Sequence, residues 1–174
     1  MIRLHRLLAL VGVLATLTAC ISAPPAPPPA PVDTTTPAKR LALIEREAGV
    51  DDTELSVQPL RDPQVDDLRE TAKAKRQIGD LAAAAAALDQ ALGLVSGDPA
   101  ILQERAEVAV LQGDWNASER FAKQAIELGS KTGPLCRRHW ATIEQARLAR
   151  GEKENAASAK AQIVGCTVPG VKRY

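Results

Sequence analysis

Hydrophobic and polar residues recur at helical spacing in six segments between residues 63 and 164. The first segment of each pair starts at a proline and the second follows a glycine; these boundary residues are Pro63, Gly79, Pro99, Gly113, Pro134 and Gly151. Asp62 and Asp98 precede their prolines and favour helix starts, because a carboxylate accepts bonds from free backbone N–H groups and proline needs no donor there. Glycine ends a helix in the left-handed conformation. The pattern predicts three helical hairpins, 63–78 with 80–95, 99–112 with 114–129, and 134–150 with 152–164.

The second helices of these hairpins repeat one another. The stretch "GDLAAAAAALDQALGL" from Gly79 aligns with "GDWNASERFAKQAIEL" from Gly113. A weaker copy, "GEKENAASAKAQIV", starts at Gly151, and its spacing from the second copy is slightly longer. Alanines in these helices permit close approach of neighbouring helices, and we expect Ala82, Ala85 and Ala86 of the alanine run to be exposed.

A period of about 34 residues with a helix–turn–helix in each unit, together with Gly-Asp turns and alanines at helix contacts, resembles the tetratricopeptide repeat. The bulky residue that the family carries early in each first helix is here Leu68, Leu102 and Trp140. The resemblance covers residues 63–164 and is weakest in the third copy. It implies an all-α fold, a solenoid of about three stacked antiparallel hairpins; an unrelated bundle of alanine-rich helices is the alternative. Residues 39–48 predict one more amphipathic helix, which either caps the first hairpin or lies in the linker.

The N-terminus has the pattern of a signal peptide. Two arginines precede an apolar run, Leu7 to Leu17, that is too short for the ~20 residues of a membrane-spanning helix. The motif "LTAC", ending at Cys20, resembles the bacterial lipoprotein box, which implies cleavage after Ala19 and lipid on the Cys20 thiol. An ordinary signal peptide and a transmembrane anchor are the alternatives. Without an aspartate after Cys20, the motif resembles that of outer-membrane lipoproteins, which face the periplasm.

The chain divides into five regions. They are the signal peptide 1–19, an acylated cysteine with a disordered proline-rich linker 20–38, a short helix and loop 39–62, the repeat-like domain 63–168, and a tail 169–174. Lys and Arg number 22 and Asp and Glu 21, so the near-zero net charge argues against a nucleic-acid partner.

Cys136 and Cys166 lie at ends of the third hairpin that are neighbours in an antiparallel pair. Export to an oxidising compartment favours a disulfide between them. Two free thiols are one alternative. A metal site formed with His139 is another, but it supplies three ligands without the usual paired spacing. We therefore expect no metal and no other cofactor.

The sequence contains no recognisable catalytic motif, and we expect no enzymatic activity. The tetratricopeptide resemblance implies that the first helices line a concave groove where partners bind. The candidate groove residues are Arg69, Lys73, Arg76, Gln103, Glu107, Arg138 and Gln145. We expect a lipid-anchored adaptor that binds another protein of the cell envelope, in envelope, secretion or pilus assembly. The alternative is a structural envelope lipoprotein that binds peptidoglycan or self-associates.

Overall fold

The computed structural model describes residues 33–49 and 62–167. The predicted signal peptide, Cys20, residues 21–32 of the proline-rich linker and the tail 169–174 lie outside the described residues. Within the described ranges the chain forms seven α-helices and no β-strand. The helices are α1 Pro37–Ala48, α2 Pro63–Gln77, α3 Leu81–Leu94, α4 Pro99–Gln112, α5 Trp115–Leu128, α6 Gly133–Ala149 and α7 Lys153–Gly165. The predicted all-α class is confirmed, and each bound of the six hairpin helices lies within one residue of the predicted one.

Local capping explains why the helix bounds are sharp. The Asp98 carboxylate accepts the N–H groups of Ala100 at 2.8 Å and Ile101 at 3.2 Å. Asp114 accepts the N–H of Ala117 at 2.9 Å, directly after Gly113, which turns the chain with a φ of 73°. The third hairpin lacks these bonds, because Thr132 and Glu152 make no side-chain cap at the starts of α6 and α7.

The hairpins α2–α3, α4–α5 and α6–α7 stack in chain order. Helix α3 packs against both α2 and α4, so two sides of its alanine run are covered. Ala82 and Ala86 are exposed as predicted, but Ala85 is only 7% exposed. The prediction for Ala85 is wrong because the repeat pattern marks one contact face of α3, whereas the stack covers two.

Helix α1 packs against α4 and α6, the first helices of the second and third hairpins. Leu41 and Ile44 join an apolar cluster with Val110 of α4 and Ala141 of α6. This position differs from both expectations for residues 39–48, a cap on the first hairpin and a place in the linker. The apolar face of α1 is instead covered by the second and third hairpins.

Cys136 and Cys166 form a disulfide with an S–S distance of 2.00 Å and a Cα–Cα distance of 5.7 Å. The bond joins the start of α6 to the residue after α7 and closes the third hairpin. A loop of 30 residues closed in this way should stabilise the fold by about 3–4 kcal/mol on the chain-entropy account. None of the helices in residues 33–49 and 62–167 has both the length and the apolar character needed to cross a bilayer.

Candidate protein-binding groove

A cavity of about 390 Å³ opens between α2 and α4, over α3. Its apolar floor consists of Ala72 from α2, Leu88 from α3 and Val108 from α4. Charged side chains surround this floor, and the most important are Arg69, Lys73, Arg76, Glu104, Glu107 and Arg138. Ala72, Leu88 and Val108 are 3%, 1% and 2% exposed and belong to the core of the first two hairpins, so the charged rim supplies most of the accessible surface of the cavity.

Glu107 lies at the centre of the charged rim and is completely buried. The Arg138 Nη2 donates to Glu107 Oε2 at 2.7 Å, and the Arg138 Nε donates to Oε1. The Arg76 Nη1 donates to the same Oε2 over a longer 3.3 Å. Two guanidinium groups therefore share one carboxylate, and this end of the cavity carries a surplus positive charge.

The other end of the cavity is electrically balanced. Arg69 of α2 makes two hydrogen bonds to Glu104 of α4, Nε to Oε2 at 3.1 Å and Nη2 to Oε1 at 2.5 Å. These bonds raise the pKa of Arg69 above its ordinary value. Lys73 pairs with Glu70 at 3.5 Å, and both side chains are exposed. The Arg69–Glu104 pair joins the first and second hairpins across the cavity.

Behind the rim, buried side chains form a chain of hydrogen bonds. The Gln103 amide nitrogen donates to Glu107 Oε1 and to Thr142 Oγ1, each at 2.8 Å. The Gln103 oxygen is then the acceptor for His139 Nδ1 at 2.7 Å, which places the imidazole proton on Nδ1. Burial, together with the charges of Arg138 and Lys131, lowers the pKa of His139 to about 4. The imidazole is therefore neutral at pH 7 and holds Gln103 in position for Glu107.

Helix α1 covers the neighbouring part of the first-helix side. Arg40 is 2% exposed, and its Nη1 donates to the backbone oxygen and the Oε1 of Gln145, both at 3.1 Å. Its Nη2 pairs with Asp33 at 2.5 Å, and its guanidinium lies 5.6 Å from the ring centre of Trp115. At the other end of α1, the Arg137 Nε donates to the Ala48 carbonyl at 3.1 Å. These contacts bury Gln145 beneath α1.

The structure divides the predicted groove residues into two groups. Arg69, Lys73, Arg76 and Arg138 surround the open cavity. The sequence predicts Gln103, Glu107 and Gln145 on an open surface, but they are buried, at 1%, 0% and 6% exposure. The sequence pattern identifies the helix face on which these residues lie, but it does not show that partner side chains and α1 cover that face.

Sequence reasoning missed Glu104 and the apolar floor of the cavity. A signal for Glu104 was present, since each arginine of α2 meets a carboxylate about one repeat later, Arg69 with Glu104 at 35 residues and Arg76 with Glu107 at 31. Leu88 and Val108 carried no such signal, because both look like ordinary core positions of their helices.

His139 and the two cysteines do not meet as metal ligands in this structure. Both sulfurs belong to the disulfide, and the His139 Nδ1 is bound to Gln103. Within residues 33–49 and 62–167, no group of three or more His, Cys, Asp or Glu side chains is arranged to hold a metal ion.

Among solved structures, this chain is similar to the globular C-terminal domain of LpoP from P. aeruginosa. The two share 30% sequence identity with a TM-score of 0.58, and the match covers 60% of this chain and 99% of that domain. No family model matches the chain, so the tetratricopeptide resemblance rests on the helical hairpins themselves. No curated protein matches it either.

Proposed function

We propose that this chain, which belongs to the family of the LpoP C-terminal domain, is a non-catalytic lipid-anchored adaptor that binds another envelope protein in the cavity between α2 and α4. The observation that carries this proposal is that the surface formed by the first helices of the hairpins, α2, α4 and α6, is only partly covered. Helix α1 seals it over α4 and α6, while the part between α2 and α4 stays open with an apolar floor.

The side chains best suited to chemistry are engaged in structural contacts, which supports a non-catalytic role. His139 is buried with its Nδ1 bound to Gln103, and Cys136 and Cys166 are joined. The charged residues of the cavity form ion pairs within α2 and between helices, and they are not arranged as a nucleophile with an adjacent base.

The anchor and the compartment rest on the N-terminal pattern and the disulfide. The lipoprotein box implies a lipid on Cys20, and the missing aspartate after it favours the outer membrane. Disulfides persist in oxidising compartments such as the periplasm, which agrees with a domain held on the periplasmic face. The adaptor then acts in assembly or maintenance of the envelope.

Self-association is the second candidate, because apolar side chains are exposed at the ends of the second helices. Leu94, Leu128 and Val164 are 51%, 60% and 76% exposed near the ends of α3, α5 and α7. A structural lipoprotein that assembles with its own copies would cover them.

Site-specific photo-crosslinking in the host bacterium tests the proposal. A photoreactive amino acid replaces Lys73 at the cavity rim, and the same replacement at the exposed Lys153 of α7 is the control. We expect one defined adduct with another envelope protein from position 73 and none from position 153. Adducts formed only between copies of this chain would support self-association, and adducts formed only with cell-wall fragments would support a peptidoglycan-binding role.

A further inference from the structure

The docking of α1 shows how this stack receives a helix. Arg40 near the start of α1 meets Gln145 late in α6, and Ala48 at its end meets Arg137 early in α6, so the two helices run antiparallel. Aliphatic residues of α1 pack between these polar contacts. The contact therefore has two parts. One is the apolar stripe of Leu41 and Ile44, and the other is the charged Arg40, whose hydrogen-bond partner Gln145 lies on α6.

The open cavity lies at the equivalent place one repeat earlier. Val110 belongs to the cluster that α1 joins. Arg76 lies as far before Val110 in the chain as Gly79 lies before Gly113, so Arg76 is the repeat equivalent of Val110. Gln145 accepts hydrogen bonds from Arg40. Glu107 lies as far before Gln145 as Gly113 lies before Gly151, so Glu107 is the repeat equivalent of Gln145. Arg76 and Glu107 both line the cavity. The cavity thus lies at the repeat-equivalent position of the surface that α1 covers, and no helix among the described residues occupies it.

The charge in the open cavity differs from that beneath α1. Gln145 is neutral and accepts from an arginine, whereas Glu107 is already bound by Arg138 and Arg76. Arg76 and Arg138 are 29% and 31% exposed. Their guanidinium groups carry more N–H donors than these bonds use. Asp66 on the rim pairs with Arg69 at 3.4 Å, and it lies ten residues before Arg76 on α2, roughly 15 Å away along the helix.

We infer that the cavity binds an amphipathic helix of a partner protein, which presents a carboxylate to Arg76 and Arg138 and aliphatic side chains to Ala72, Leu88 and Val108. This inference rests on the proposed function and names the chemistry of the partner. Helix α1 of a second copy does not satisfy the site, because its Arg40 would face two guanidinium groups. Charge complementarity therefore selects an acidic helix over a copy of α1.

Two helix-stapled peptides of 12 residues test the inference against the full-length protein in detergent. One has the sequence of Pro37–Ala48, and the other carries Arg40→Glu in that sequence. We expect the acidic peptide to bind about fivefold more tightly, the upper end of the effect of one partly exposed ion pair. Fluorescence anisotropy of a labelled peptide gives both affinities.

Variants of the protein locate the bound peptide. Arg76→Gln should weaken binding of the acidic peptide about fivefold and strengthen binding of the parent peptide, whose Arg40 then faces one guanidinium group instead of two, whereas Arg76→Lys should keep most of the affinity. Lys153→Gln, an equal loss of charge on the exposed start of α7, should change neither affinity. Circular dichroism of each variant checks that the helices are intact. If Arg76→Gln does not fold, Arg138→Gln replaces it, with the same loss of affinity expected.

Equal affinities for the two peptides, or undiminished binding to the folded glutamine variant, would overturn the acidic-helix assignment. The crosslinking experiment separates this outcome from failure of the proposed function. An envelope-protein adduct at position 73 without acidic-peptide binding would support the adaptor role and contradict the acidic-helix assignment. Acidic-peptide binding without such an adduct would support the acidic-helix assignment and contradict the adaptor role.

Discussion

His139 is a buried neutral histidine whose protonation is coupled to folding. Its folded pKa of about 4 lies below the ordinary 6.5, so the unfolded chain binds the proton more tightly. The stability from the neutral imidazole is fully present above pH 6.5 and is lost as the pH falls toward 4. We expect the free energy of unfolding to drop by about 2 kcal/mol between about pH 7 and pH 5, as measured by urea denaturation.

His139→Asn is the matched variant, because its side-chain amide keeps a donor near the Gln103 oxygen but does not titrate in this range. Its stability should change little between the same two pH values, although it is lower throughout because a cavity is left behind. His139 is the one histidine in the part of the chain that the structure describes. An equal pH dependence of the two proteins would show that other groups cause the loss.

At the residue scale, sequence reasoning succeeds where a residue's partner is fixed by local geometry. The disulfide partners could be paired because hairpin ends meet whatever else the fold does. The roles of Gln103 and Glu107 depend on Arg76, Thr142 and Arg138 from other hairpins, and no local pattern encodes those contacts.

Helix α1 is the element whose attachment is easiest to test. Ile44 is fully buried between α4 and α6, and Ile-to-Ala changes at such sites typically cost about 2–5 kcal/mol. Since this loss falls on the docking of α1, we expect Ile44→Ala to speed amide exchange in α1 at least about tenfold, as read by hydrogen–deuterium exchange. Glu45→Ala, the exposed next residue, should leave α1 protected. Unchanged exchange in Ile44→Ala would mean that polar contacts alone hold the helix.

The six hairpin helices could be predicted to within a residue because the prolines at their starts and the glycines at their turns are local signals, whereas the place of α1 could not. Its contact between Arg40 and Gln145 joins residues 105 apart in the chain. An amphipathic pattern shows that a helix has an apolar face to cover, and the fold alone decides which surface covers it.

Across the whole molecule, the second and third hairpins are fastened more firmly than the first. Helix α1 bridges α4 and α6, and the disulfide closes the third hairpin. Burial alone would raise the pKa of Glu119, but its hydrogen bonds to Lys123, Arg150 and Arg147 lower it to about 2. The pairs to Arg147 and Arg150 hold α5 on the third hairpin. Packing of α3 on α4 and the ion pairs across the cavity attach the first hairpin to the second.

The stack should therefore open from the first hairpin. Repeat proteins unfold in units set by the interfaces between neighbours, so we expect α2 and α3 to exchange their amides at the lowest free energy in native-state hydrogen exchange with rising urea. Reduction of the disulfide should lower the protection of α6 and α7 by about 3–4 kcal/mol and leave α2 unchanged. Simultaneous loss of protection in all seven helices would show instead that the stack is one cooperative unit. If the first hairpin does open first, an occupant of the cavity should slow exchange in α2 most, because that helix and α4 form its walls.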